Sequence, residues 1–122
     1  MSDQVHASEV VRAQRFELTD PKGQVRASLA LHPDGSPTLA FADENGQVRA
    51  SLALHPDGST GLAFFDEKGE TRAMLSLHRD GSPSLGLLDA KGEVRAALMV
   101  RADGGPGVRL LDEKAKVMWQ AP

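Results

Sequence analysis

Cysteine and tyrosine are both missing from this 122-residue chain, and its aromatic side chains are one tryptophan and four phenylalanines. Without cysteine there is no disulfide scaffold, no thiolate zinc site, no thiol nucleophile and no Fe–S cluster, so nothing constrains the redox compartment. A strong charge of one sign is lacking as well. The 14 basic and 17 acidic side chains leave a net charge of -3, which provides neither the basic footprint of a nucleic-acid binder nor an acidic tail. Long apolar runs are absent too, and the opening residues, from Met1 to His6, show neither the basic nor the apolar stretch of a signal peptide. The expectation is a soluble, cytoplasmic chain of one domain, with no membrane insertion and no nucleic-acid partner.

What the chain has in abundance is itself. The segment 25–36, Val-Arg-Ala-Ser-Leu-Ala-Leu-His-Pro-Asp-Gly-Ser, returns unchanged at 48–59, an offset of 23 residues. It returns again, with drift, from Thr71 to Ser82 and from Val94 to Gly104. The intervening half repeats in phase, from Leu39 to Gly46, Leu62 to Gly69, Leu85 to Gly92 and Val108 to Ala115, with an earlier copy from Phe16 to Gly23. Val117, Met118 and Trp119 open a last copy of the first half. Residues 9–122 thus read as one β-repeat domain, preceded by a flexible N-terminal arm over residues 1–8.

Each half reads as a short strand. Val48, Ala50, Leu52 and Leu54 alternate with Arg49, Ser51, Ala53 and His55, which is a period of two and not the 3.6 of a helix. A glycine-containing turn closes every run within eight residues, leaving no room for an ordinary helix. The expected fold is all-β, an antiparallel β-meander of about ten strands built from 23-residue two-strand repeats. The alternative is a β-solenoid with 23-residue coils; the x-Pro-Asp-Gly turns favour hairpins.

An odd period has a consequence for the turns. His32-Pro33-Asp34-Gly35 suits a type I turn with a glycine bulge, and the register then sets Leu29 opposite Leu39 and Ala27 opposite Phe41. If the Asp43-Glu44-Asn45-Gly46 turn were also bulged, Phe41 would meet Arg49 and the apolar face would invert at every repeat. A two-residue loop instead sets Phe41 against Ala50 and Leu39 against Leu52. The sequence therefore predicts two unlike turns, or a bulge inside a strand with the same effect. Equivalent residues then line up without stagger, which disfavours a closed barrel. Rows form of Leu29, Leu52, Leu75 and Leu98, and of Arg26, Arg49, Arg72 and Arg95.

An open sheet of this kind exposes one apolar face and two edges, both of which favour association. Its other face carries Ser28, Ala30, Ala40, Ser51 and Ala63, small enough for another layer to approach closely. A homo-oligomer of face-packed sheets, such as a trimeric prism, is the expectation, against a single chain folding its sheet into a sandwich.

Candidate chemistry is sparse. His32, His55 and His78 recur two strands apart, roughly 9.5 Å, and are the candidates for metal ligation if the sheet curves inward; a structural role before each turn is the expected one, since Arg101 replaces the fourth. The turn aspartates, Asp34 and Asp43 with their repeats, offer one or two carboxylates per turn where calcium needs six or more oxygens. The row Arg26, Arg49, Arg72 and Arg95 is a possible interaction row for an anionic ligand. Pairing with the turn carboxylates Asp43, Glu44, Asp66 and Glu67 is the plainer expectation. Every serine and histidine from Ser28 on belongs to a repeated series, so no nucleophile with its own base and orienting group stands out. Gly104-Gly105-Pro106-Gly107 has no helix start or lysine after it to hold phosphate. Trp119 is expected to cap the final strand. No catalytic residue, cofactor or bound metal is expected.

The units Arg-Ala-x-Leu-x-Leu-x-x-Asp-Gly-Ser-Pro and Leu-x-Phe/Leu-x-Asp-x-x-Gly-x-x-Arg-Ala resemble those of uncharacterised bacterial proteins built from tandem β-hairpin repeats, over residues 16 to 119. That resemblance implies a repeat fold and no activity, and it transfers no site; related members often carry an N-terminal membrane segment or signal. The functional expectation is a non-enzymatic structural protein that self-assembles through sheet faces or edges. The alternative is a binding module presenting its Arg/Ser/Ala face to a protein, an anionic surface or a carbohydrate.

Overall fold

Strands begin where the alternation begins and stop at each glycine turn, and a computed structural model, which describes residues 9–122, shows ten of them. They are β1 (Arg15–Thr19), β2 (Val25–Leu31), β3 (Pro37–Ala42), β4 (Val48–Leu54), β5 (Thr60–Phe65), β6 (Thr71–Leu77), β7 (Pro83–Leu88), β8 (Val94–Val100), β9 (Pro106–Leu111) and β10 (Val117–Ala121). The arm expected over residues 1–8 lies outside the described residues. The strands form one open sheet in sequential order, every neighbour antiparallel. The fold is therefore the all-β meander; a solenoid would have needed parallel stacking of successive coils.

The register is the one the apolar pattern demands. Leu29 faces Leu39, Leu39 faces Leu52, Ala27 faces Phe41 and Phe41 faces Ala50. The device that keeps it is a bulge within the strand, because the two turns prove alike. His32 N–H donates to the Ser36 carbonyl at 2.9 Å and Gly35 N–H to the His32 carbonyl at 2.8 Å. Asp43 N–H donates to Gln47 at 2.9 Å and Gly46 N–H to Asp43 at 3.1 Å, the same pattern. Gly35 and Gly46 have φ of 86° and 82°, the left-handed conformation that a type I turn with a glycine bulge requires. The expectation of unlike turns thus fails. With like turns the odd period would invert the faces at every repeat, and leaving one strand residue per repeat out of the pairing cancels that inversion. Phe41 faces Ala50 while Ala42 faces Val48, so Arg49 is skipped.

The same skip falls on Arg26, Arg72 and Arg95, and on Met118 in the last strand. With the faces kept in phase, large apolar residues gather on one side: leucines in the row through Leu52, Phe41 and Phe64 against alanines, and Leu54 against Thr60 where Leu31 and Leu77 face prolines. The other side carries mainly alanine, serine and glycine, as in the facing residues Ser51 and Ala63, or Ala53 and Gly61, with Met74 and Met99 among them.

One turn departs from the pattern. Ala115 occupies the glycine position of the last turn, with φ of 64°, and a non-glycine residue there costs roughly 1 kcal/mol. Ala115→Gly is expected to stabilise the protein by about 0.5–1 kcal/mol, read as a higher midpoint in urea with an unchanged m-value.

Candidate functional site

Three features are built from the repeat and could carry function: the arginine row, the turn end groups and the sheet faces. The arginine row comes first because the bulge explains it. A bulged residue leaves the regular ladder, and here its side chain replaces the missing contact. Arg49 Nε donates to the Phe65 carbonyl at the end of β5 at 2.8 Å, and its Nη1 lies 3.7 Å from Asp43 Oδ2 in the preceding turn. Arg26 reaches Ala42 and Asp20, Arg72 reaches Leu88 and Asp66, and Arg95 reaches Leu111 and Asp89, with Nε to carbonyl distances of 2.8–2.9 Å. Each guanidinium therefore ties one turn to the next along one end of the sheet. The expected partners Asp43 and Asp66 are engaged, joined by Asp20 and Asp89; Glu44 and Glu67 take no part in an ion pair among the described residues. The ladder ties the fold together, and the guanidinium that an anion would need is already hydrogen-bonded and paired.

The two aspartate series stabilise turns from different positions. Asp43 is the first residue of its turn, and its Oδ1 accepts from Asn45 N–H at 2.9 Å and Gln47 N–H at 3.0 Å. Asp34 is the third residue of its turn, and its Oδ1 accepts from both the N–H and the hydroxyl of Ser36. Asp57 with Ser59 and Asp80 with Ser82 repeat the second arrangement. The serine hydroxyl and then the serine N–H hold Asp34, Asp57 and Asp80 below the ordinary value of 3.8. The backbone N–H of the fifth residue, from Gln47, Glu70 or Glu93, does the same first for Asp43, Asp66 and Asp89.

A lowered folded-state pKa stabilises the folded chain above the unfolded value and loses that contribution as pH falls through the folded value. Thermal unfolding followed by circular dichroism is therefore expected to be flat from pH 7 to about 5 and to drop below pH 4. The triple variant Asp34→Asn/Asp57→Asn/Asp80→Asn, which keeps a side-chain acceptor but no titrating group, should show a shallower drop.

His32, His55 and His78 each open a turn through backbone bonds, and the His78 imidazole Nε2 meets Ser84 Oγ at 2.9 Å. Among the described residues no three His, Asp or Glu side chains gather as a metal site would require. Arg101, at the fourth histidine position, lies across the small-residue face and donates to the Pro106 and Pro122 carbonyls, both at 3.0 Å. Gly107 makes room for it, since a Cβ there would sit 2.8 Å from Arg101 Nη1. Trp119 faces Leu110 on the outermost strand and is 53% exposed.

The faces hold the largest anomaly. No apolar side chain of the described residues is buried. Leu29, Leu52, Leu75 and Leu98, the central row of the apolar side, are 48%, 44%, 50% and 52% exposed. An open groove on that side is lined by Leu52, Leu62, Leu75, Leu77 and Pro83. The total accessible surface is 9063 Å², against about 6,300 Å² for a globular monomer of this mass. Repeat reading located this face and the pairing of the arginines with Asp43 and Asp66, but not the bulge that the arginines occupy, whose signal was the odd period itself.

No protein-family model matches the chain, and no curated protein matches it. Among solved structures it is similar to the wild-type TCP10 domain of Danio rerio CPAP, with 20% identity over 89% of this chain and 73% of that one and a TM-score of 0.27. At that score the likeness carries nothing about function. No helix of the described residues is long and apolar enough to cross a membrane.

Proposed function

We propose that the protein is a non-enzymatic structural β-repeat that associates with copies of itself through the apolar face of its sheet. The observation that carries this reading is the absence of any buried apolar side chain among the described residues while the central leucine row stands about half exposed. A sheet one layer thick forms its backbone hydrogen bonds but leaves hydrophobic burial, the main favourable term in folding, largely unused. A second layer supplies it. Ten strands at about 4.8 Å spacing and about 20 Å long present a face of roughly 900 Å², close to the ~800 Å² that each partner contributes to a standard interface. Exposed apolar patches of that size mark association sites on soluble proteins.

The binding-module reading is less well supported, because the arginines it relies on already serve backbone carbonyls and turn carboxylates. Size-exclusion chromatography with light scattering tests the proposal. A mass that is a multiple of 13.0 kDa is expected, and a folded species at the single-chain mass across micromolar concentrations overturns it.

A further inference from the structure

The sheet has two edges, and departures from the repeat at or beside them are complementary in form. At the middle of the small-residue face, β3, β5 and β7 carry Ala40, Ala63 and Gly86, but β1 carries Glu17 and β9 carries Arg109. Gln120 of β10, which faces Arg109, stands where β2 and β4 carry Ser28 and Ser51. The apolar face departs in the same way. Ala121 replaces the leucine of the inner even-numbered strands, and Phe16 stands where β3, β5 and β7 carry Leu39, Leu62 and Leu85 and β9 carries Val108. Trp119, Leu18 and Phe16 are 53%, 66% and 43% exposed.

From these edges we infer a second interaction surface: β10 of one copy pairs antiparallel with β1 of another, head to tail, continuing the meander. The phase permits it. The edge β1 is an odd-type strand and the edge β10 an even-type one, so their junction repeats the pairing of β8 with β9, in which Ala96, Ala97 and Leu98 face Leu110, Arg109 and Val108. Carried forward one repeat, that register sets Trp119 opposite the second copy's Leu18, Gln120 opposite its Glu17 and Ala121 opposite its Phe16. Small then meets large at Ala121 and Phe16. The second copy's Glu17 comes two strands, roughly 9.5 Å, from the Arg109 backbone, a span within reach of an arginine and a glutamate side chain. Edge charges ordinarily blunt pairing. Here Glu17 is paired with Arg15 of its own strand at 2.6 Å, and the approach of β10 brings it a second cation, Arg109 of the strand behind that edge, so the charges at this junction attract. A head-to-tail contact of this kind is heterologous, so it grows into filaments or closes into rings.

The cysteine-free chain allows a direct test. Phe16→Cys and Ala121→Cys are made as separate variants, mixed and mildly oxidised. A covalent dimer is expected in the mixture, with at least tenfold less in either variant alone. Glu17→Lys added to the Phe16→Cys chain should lower the yield at least tenfold, and Arg109→Glu added to the Ala121→Cys chain should restore it. No dimer in the mixture, equal dimer from a single variant, or a yield indifferent to the charge changes overturns the inference. The edge joint is independent of the face proposed above: cross-linking should persist when Leu52 and Leu75 are both lysine, and its loss there counts against the inference. If the mixed cysteine variants cross-link yet lysine on the face changes nothing in the mass of the parent chain, the face reading alone fails.

Discussion

With Leu52 and Leu75 both replaced by lysine, the face-to-face assembly is expected to dissociate by about 1,000-fold. The size follows from burial. Each leucine is about half exposed in the single sheet, so covering it recovers roughly half of the ~2 kcal/mol for a whole leucine side chain, about 1 kcal/mol each. In a two-fold contact both copies lose both leucines, for a total of about 4 kcal/mol, and 1.4 kcal/mol is tenfold in affinity. Lysine adds to the effect through the desolvation of its charge. The control is Ser51→Lys, which sets the same charge on the small-residue face, between Ala40 and Ala63. Light scattering should return the parent mass for Ser51→Lys and a smaller one for the leucine variant. Equal behaviour of the two would mean that the apolar face is not the interface.

Deleting Arg72 is expected to cost about 1–2 kcal/mol, no more than Arg72→Ala, because the residue lies outside the ladder. The bulge at Arg72 lets Phe64 face Ala73 while Phe65 faces Thr71. Without that residue Phe65 still faces Thr71 and Phe64 still faces Ala73, now as neighbours in a regular ladder, so the like turns keep Leu75, Leu85 and Leu98 on the face that holds Leu29, Leu39 and Leu52. Arg72→Ala separates geometry from side chain. It keeps the residue count and loses the 2.9 Å hydrogen bond to Leu88, for about 1–2 kcal/mol. Urea unfolding of the two variants decides the matter: equal costs are expected, and a deletion that costs several kcal/mol more than alanine substitution would mean that the bulge itself matters to the fold beyond the side chain.

The turn before Arg49 carries Asn45 and Gly46, the pair best suited to a two-residue loop. The arrangement expected from the sequence, with unlike turns, is thus one that this hairpin can reach but does not use. Both solutions satisfy the apolar register, and composition alone does not separate them. The bulge prevails because each Arg offers the skipped position a carbonyl and a carboxylate partner, contacts made across three strands that no local window contains.

Much about this protein follows from the linear repeat. The alternation of Val48, Ala50, Leu52 and Leu54 specifies strands, the glycine turns specify hairpins, and the exact recurrence at 23 residues specifies rows of like side chains, all through interactions between near neighbours. The open sequential order follows from the same period, since rows without stagger do not close a barrel. Tertiary structure alone decided where the parity correction sits, that the arginine row is a string of bulge residues, and that the apolar side finds no cover among the described residues. Those depend on how strands five to sixteen residues apart are set against one another, and on the geometry of a single layer whose two faces cannot shield each other.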